Sequence, residues 1–438
     1  MSHYKPYPAY RESGVEWIGQ VPEHWETLRI KRAAALRNER RNDLPNGWPY
    51  VGLEDVEPES GRYAPTKGES RQSDDSMVGV SRAGDVLYGK LRPYLRKAIV
   101  AERDGVCSTE FLVLIAGRAA ATWLHCWLLT PDVTQQIEAG CYGAKMPRTD
   151  WEHVGSILMP LPPPAEQSTI AAFLGRETTR IDALIAKKTR FIELLKEKRS
   201  ALITHAVTKG LDPKTKMKDS GVEWIGQVPE HWEIRPIKSL ANKTGTLFID
   251  GDWIESKNLA DCGIRYITTG NVDAGEYKEQ GTGYISESTF EELRCTEVFP
   301  GDVLVSRLNP PIGRACIVPD LGDRIVTSVD NVIFRPDLDY SSVFVVYRFS
   351  AADYFHELKL LASGVTMQRV SRTELGNVRI AWPPLDEQLA IVAVLNRETA
   401  RIDDLINKAQ RSIDLLKERR SAFITAAVTG QIDVRGDL

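Results

Sequence analysis

No C-x-x-C pair occurs among the six cysteines of this chain, Cys107, Cys126, Cys141, Cys262, Cys295 and Cys316. Their spacing suits neither a tetrahedral zinc site nor a disulfide framework, so a reducing, cytoplasmic compartment is the expectation. A long apolar run is also missing. The most apolar stretch, residues 111–130, is broken by Gly117, Arg118 and His125, and a charge at the centre of a membrane span is costly. It reads as a buried strand (FLVLI) followed by a helix (AATWLHCWLLT), so no membrane partner is expected. The first residues, MSHYKPYPAYRES, hold no apolar core of a secretory leader. Nor is there a surplus of positive charge: 56 Lys and Arg face 60 Asp and Glu, for a net charge of -4. Any nucleic-acid contact must therefore come from local basic patches rather than bulk attraction. No G-x-x-x-x-G-K-[ST] loop is present to cradle ATP phosphates.

What is present is a repeat. "ESGVEWIGQVPEHWE" at 12–26 returns as "DSGVEWIGQVPEHWE" at 219–233, identical at fourteen of fifteen positions. Trp17, His24 and Trp25 recur as Trp224, His231 and Trp232. Residues 50–56 (YVGLEDV) align with 266–272 (YITTGNV), Gly84-Asp-Val-Leu87 with Gly301-Asp-Val-Leu304, and from Gly143/Gly364 onward the offset stays at 221. The 438 residues are a tandem duplication, settled before any other reading. With 42% apolar and 26% charged residues, each copy can bury its own core.

The last third of each copy is helical by pattern. Residues 166–208 and 387–429 match at 28 of 43 positions. Apolar residues recur at near-heptad spacing, which marks an amphipathic helix. Pro162, Pro163 and Pro164 precede one helix and Pro383 and Pro384 the other, while Gly210 and Gly430 follow, where a C-terminal cap favours positive φ. At 1.5 Å per residue each rod is about 65 Å long. A stripe of that length needs a partner helix, and the chain supplies one of equal length. The pairing positions read from the sequence are Ile181, Leu184, Ile192 and Leu195 against Ile402, Leu405, Ile413 and Leu416.

Between opening motif and helix, each copy carries a divergent, β-rich domain with a short helix near its end, an α+β arrangement. Basic residues cluster here, with Tyr88 and Tyr94 interleaved. Arg307 stands where copy one has Lys90, Arg369 matches Arg148, and Asn309 and Gln368 add amides. Arg and Lys meet phosphates or guanine edges, and Asn and Gln pair with adenine in the major groove. The candidate DNA-contacting residues are Tyr88, Lys90, Arg92, Lys145 and Arg148 in copy one. In copy two they are Asn271, Ser306, Arg307 and Asn309, with Gln368, Arg369 and Arg372. A base reader among them should contribute about 1–3 kcal/mol; Arg307 and Lys90 are the first to test.

The opening motif resembles the one that begins each half of the DNA specificity subunits of type I restriction–modification systems. The stretches "PLPPPAEQ…FL…ETTRIDALI…LLKEKRSALITHAVTKGL" and "PPLDEQ…LNRETARIDDLI…LLKERRSAFITAAVTGQID" resemble that family's spacer helices. The resemblance spans essentially the whole chain. It implies two tandemly repeated α/β target recognition domains and two long helices in an antiparallel coiled coil, with pseudo-twofold symmetry. The implied segments are a repeat motif (1–26), recognition domain 1 (27–161), spacer helix 1 (162–210), a second repeat motif (211–233), recognition domain 2 (234–382), spacer helix 2 (383–430) and a tail (431–438). It further implies double-stranded DNA, two methyltransferase (modification) subunits and optionally two restriction motor-nuclease subunits as partners. S-adenosylmethionine, ATP and Mg belong to those partners, and this chain binds no cofactor and catalyses nothing itself.

Two other readings are weighed against it. A DNA adenine methyltransferase would need a D/N-P-P-Y/F motif to stack a flipped base. Asn309-Pro310-Pro311-Ile312 ends in Ile and has no accompanying cofactor loop. A nuclease reading of Glu276-Tyr-Lys278 or Asp212-Pro-Lys214 lacks the preceding Pro-Asp. A coiled-coil scaffold that binds only proteins would leave the basic loops incidental. No cluster of carboxylates or cysteines with metal-ligand spacing surrounds His24 or His231 in sequence, and both are read as hydrogen-bonding beside a buried Trp.

Overall fold

The computed structural model describes residues 4–43, 45, 47–65, 77–281, 283–364 and 367–436. The chain divides into two units, Met1–Thr189 with Gln410–Leu438, and Arg190–Ala409. Among the described residues no helix is long and apolar enough to cross a membrane.

In unit 1 the opening motif forms a hairpin of Tyr10–Glu12 and Gln20–Pro22. The recognition domain has two four-stranded sheets. One runs Ala34–Leu36, Phe111–Ala116, Val86–Gly89, Ala98–Val100, all antiparallel. The "DVLYG" and "FLVLI" runs are continuous rather than alternating because these central strands are covered on both faces. The other runs Arg40–Arg41, Val78–Ser81, Gly105–Cys107, Tyr50–Val51, its last pair parallel. Helices Ala121–Leu128 and Pro131–Ala139 follow, and Leu158–Leu161 returns to pair with Glu26–Arg29.

Unit 2 repeats the first sheet as Leu247–Asp250, Asn331–Arg335, Val303–Ser306, Ala315–Ile317. Its second sheet keeps the parallel pair, Ile264–Ile267 with Ile325–Thr327. The remaining strands, however, join beside Ile264–Ile267, whereas in unit 1 they join beside Gly105–Cys107. The length drift between copies includes this rewired sheet.

The repeated Gly-Asp-Val-Leu is a built turn. Gly84 and Gly301 adopt φ of +87° and +93°, a region open to glycine. Asp85 accepts the Arg82 N–H at 2.8 Å and Asp302 the Phe299 N–H at 2.9 Å. Each buried carboxylate also takes an arginine, Arg37 Nε at 2.7 Å in unit 1 and Arg335 Nε at 2.6 Å in unit 2. Arg37 is therefore an internal ion-pair partner.

The long helices are Pro164–Lys209 and Leu385–Val428, of 46 and 44 residues. Unit 1 takes the start of the first and the end of the second, and unit 2 takes the reverse, so the two run antiparallel. Arg420 Nε meets Asp182 at 3.0 Å in unit 1, and Arg199 Nε meets Asp403 at 3.0 Å in unit 2. These are the same residue pair, 221 positions apart, with the helices exchanged. Covered positions step alternately by four and three, through Ile181, Ile185, Lys188, Ile192, Leu195 and Arg199. The second helix repeats this at Ile402, Ile406, Ala409, Ile413, Leu416 and Arg420. Leu184 and Leu405 are 40% and 38% exposed and do not pair. Each lies one position, about 100° of helix, off the seam, which runs through Ile185 and Ile406 instead.

Candidate nucleic-acid interface

The opening motif is a mount. The Trp25 indole N–H donates to Glu166 Oε1 at 3.1 Å, Tyr7 donates to the same oxygen at 2.7 Å, and His24 Nε2 lies 2.7 Å from Glu166 Oε2. Tyr10 donates to the carbonyl of Gly430, and a Cβ on Gly430, at φ +74°, would collide with Pro22. The motif thus grips the start of one long helix and the end of the other. Unit 2 repeats the grip: Trp232 donates to Glu387 at 3.1 Å, His231 lies 2.7 Å from it, and Lys209 donates to the carbonyl of Gln227.

The residue after each glutamate ties in the recognition domain. Gln167 accepts the Ala120 N–H and donates to the carbonyls of Arg118 and Pro162. Gln388 accepts the Ser341 N–H and donates to the carbonyls of Asp339 and Pro383. The Glu-Gln dipeptide stood in both helix starts as a sequence signal, but its role needed the partners, which lie up to 159 residues away.

A shared backbone framework also marks the loop pair that follows the central strand of the first sheet. In unit 1, the Lys90 N–H donates to the carbonyl of Glu110, and the Thr149 N–H donates to that of Lys90. The Arg92 N–H donates to the carbonyl of Pro147, and Tyr142 and Arg148 exchange backbone hydrogen bonds. Unit 2 reproduces each: Arg307 to Asp330, Val370 to Arg307, Asn309 to Gln368, and the exchange between Ser363 and Arg369. Arg92 and Asn309 both adopt left-handed φ, 52° and 60°. One scaffold thus presents two different sets of side chains.

The structure sorts the candidates. Lys90 is half-buried, Arg92 and Lys145 are exposed, and none has an ion-pair partner among the described residues. Asn309 is exposed and Gln368 half-buried beside it. Arg148 is held by Glu110 at 3.1 Å and the exposed Arg369 by Asp330 at 3.2 Å, so each arginine is oriented by a carboxylate. Glu110 and Asp330 were not found from the sequence; the signal available was the shared Ser-x-acid at 108–110 and 328–330. Arg372 is half-buried and lies 3.5 Å from Asp250.

Four candidates are structural. Tyr88 is fully buried within a central strand, and burial pushes its phenol well above the usual range. Asn271 is buried and accepts from Thr268 while donating to the carbonyls of Lys278 and Gln280, which closes a turn. Ser306 is buried and donates to the carbonyl of Leu308. Arg307 is 3% exposed, 3.0 Å from Asp250, and donates to the carbonyls of Val370 and Val329; desolvation lowers its basicity. Sequence reasoning gave these polar groups to DNA because strand burial is invisible in composition. Asn309-Pro310-Pro311-Ile312 is a turn with a cis Pro310–Pro311 bond, and Ile312 is buried in the core rather than offered to a base.

Removing the open cations tests the surface. The triple change Lys90→Ala, Arg92→Ala, Lys145→Ala is expected to leave thermal unfolding unchanged, because none of the three braces the fold. It should flatten the dependence of log K for duplex DNA on log salt by about 0.9 per lost phosphate contact. An unchanged slope in a binding titration would take these loops out of the interface.

Residues 229–415 match the family model described as type I restriction modification DNA specificity domain. The specificity subunit of the type I restriction enzyme MjaVIII of Methanocaldococcus jannaschii is 22% identical, with 95% of each chain covered. The putative MjaX specificity subunit of the same organism is 26% identical, covering 95% of this chain and 96% of that one. Among solved structures, a chain from a type I R-M system has a TM-score of 0.72 at 20% identity, covering 95% of this chain and 99% of that one. The HsdS subunit of Thermoanaerobacter tengcongensis has a TM-score of 0.53 at 20% identity, covering 96% and 100%.

Proposed function

We infer the role of this chain from the family to which it belongs, the DNA specificity subunits of type I restriction–modification systems: it directs DNA modification by choosing the sequence and catalyses no step itself. Each recognition domain reads one half of a bipartite, asymmetric DNA site in the major groove. The paired helices set the gap between halves and dock two methyltransferase subunits, with motor-nuclease subunits as optional partners. S-adenosylmethionine, ATP and Mg act in those partners. The cytoplasm, where the host DNA lies, is the proposed compartment.

The observation that carries this reading is the division between what the copies share and what they do not. Opening motif, helix-start Glu-Gln and interhelical Arg–Asp pair coincide in both units, whereas the exposed Arg92 and Lys145 stand where unit 2 has Asn309 and Thr366, and the open Lys90 where it has the buried Arg307. Shared parts cannot distinguish two half-sites; differing ones can. Residue 366 lies outside the described residues.

Methylation sequencing tests it. Exchanging residues 27–161 for another recognition domain should change one half-site and leave the other. Inserting four residues near Lys187, about one helical turn or 6 Å, should lengthen the gap between halves. If both halves change in the first variant, or the gap is constant in the second, the division of labour is wrong. Binding of every duplex alike by the complex with its methyltransferase would overturn recognition altogether.

A further inference from the structure

The two recognition domains differ at most positions, yet their interface loops keep Gly-x-x-Met-x-Arg, at 143–148 and 364–369. Two of the three retained residues have a structural reason. Gly143 and Gly364 adopt φ of +89° and +103°, and a Cβ on either would crowd the carbonyl oxygen of Met146 or Met367. Arg148 and Arg369 are fixed by Glu110 and Asp330, and by the backbone exchange with Tyr142 and Ser363. The methionine has none. Met146 is 51% exposed and Met367 64% exposed, and neither belongs to a core cluster.

Each methionine thus stands on a braced loop beside the side chains assigned to DNA: Lys145 and Arg92 in one unit, Gln368 and Arg369 in the other. An exposed apolar side chain retained in both copies, where readers diverge, must meet something that both half-sites offer whatever their sequence. Stacked bases are that feature. A flexible, polarisable thioether fits varied base surfaces, and apolar side chains that wedge against base steps hold a duplex from its minor groove, apart from any readout in the major groove.

We propose that Met146 and Met367 are matched, sequence-independent apolar contacts that seat each recognition domain against the bases of duplex DNA. This rests on the DNA-reading function above and adds residues that hold the duplex without choosing among sequences. The pairing of function is specific: readers set preference, the methionines set affinity.

The test uses the whole complex with its methyltransferase partner and compares Met146→Ala, Met367→Ala, the double variant and Met→Leu at both sites. Binding is measured by fluorescence anisotropy on a cognate and an unrelated duplex across a salt series. Each Ala change should weaken both duplexes by a similar factor, about 5- to 20-fold, as loss of part of a methionine's apolar burial implies. The slope of log K against log salt should stay unchanged, because no phosphate contact is lost. Met→Leu should stay within about threefold, since apolar volume is kept. Wild-type affinity in the double variant overturns the proposal. So does a loss confined to one duplex, which would make the methionine a base reader. Failure of the variants to assemble with the methyltransferase would instead assign the loops to a protein contact and overturn it too. If the unsubstituted complex does not discriminate between duplexes, the recognition function fails first; if it does and the double variant binds like it, only the methionine contact fails.

Discussion

Trp25→Ala is expected to destabilise unit 1 by about 3–5 kcal/mol, the range for deleting a buried Trp side chain. The indole is 1% exposed and lies edge-on to the rings of Tyr7 and Trp123, at 5.7 Å and 5.5 Å. Truncation leaves a cavity that a helix terminus and a tight hairpin cannot close by shifting. It also removes a donor from the 7%-exposed Glu166 carboxylate, which keeps Tyr7 and His24. Trp25→Phe separates the two costs. It retains much of the volume and loses the N–H, so about 1–3 kcal/mol should go. The matching Trp232→Ala should cost less of the electrostatic part, because Glu387 is 27% exposed and, among the described residues, meets His231 and Trp232 but no tyrosine. Calorimetric unfolding measures all three. Wild-type melting of both Trp25 variants would mean that the opening motif does not hold the helix ends.

The second large effect reverses the expectation drawn from sequence. Arg307→Ala is expected to destabilise unit 2 by about 1–3 kcal/mol, the cost of leaving buried hydrogen-bond partners without their donor, rather than to remove a base reader. Its guanidinium spans Asp250 and the carbonyls of Val370 and Val329, tying the end of one sheet strand to the loop that carries Arg369. Without it, Asp250 keeps only Arg372, at 3.5 Å, and buried carbonyls lose their donor. A lysine cannot replace it, since one ammonium cannot reach these directions at once. Urea unfolding should show the loss, and any fall in DNA affinity should track the unfolded fraction. In contrast, Lys90 at the equivalent position is half-buried and lacks an ion-pair partner among the described residues, so its substitution should act on DNA binding and not on melting. Equal melting of the Arg307 variant and the parent would restore the base-reading assignment.

The sequence determined a great deal by itself. Duplication, helix limits and the need of each long helix for a partner all follow from periodicity and identity between copies. These are local or statistical properties, and Gly210, Gly430 and the prolines mark boundaries through backbone conformations that depend on few neighbours. The tertiary structure alone decided which polar side chains are available. Lys90 and Arg307 occupy one position in one scaffold, yet only the second has Asp250 across the sheet edge to draw it inward. Leu184 and Ile185 are both apolar, and the partner helix, not composition, selects the second. His24 has Glu23 and Glu26 beside it in sequence, yet the carboxylate it meets is Glu166, which folding brings across 142 residues. Burial and pairing are set by chain segments that meet only in the folded state, so residue type names the chemistry a position can perform and the fold decides whether it faces DNA or the core.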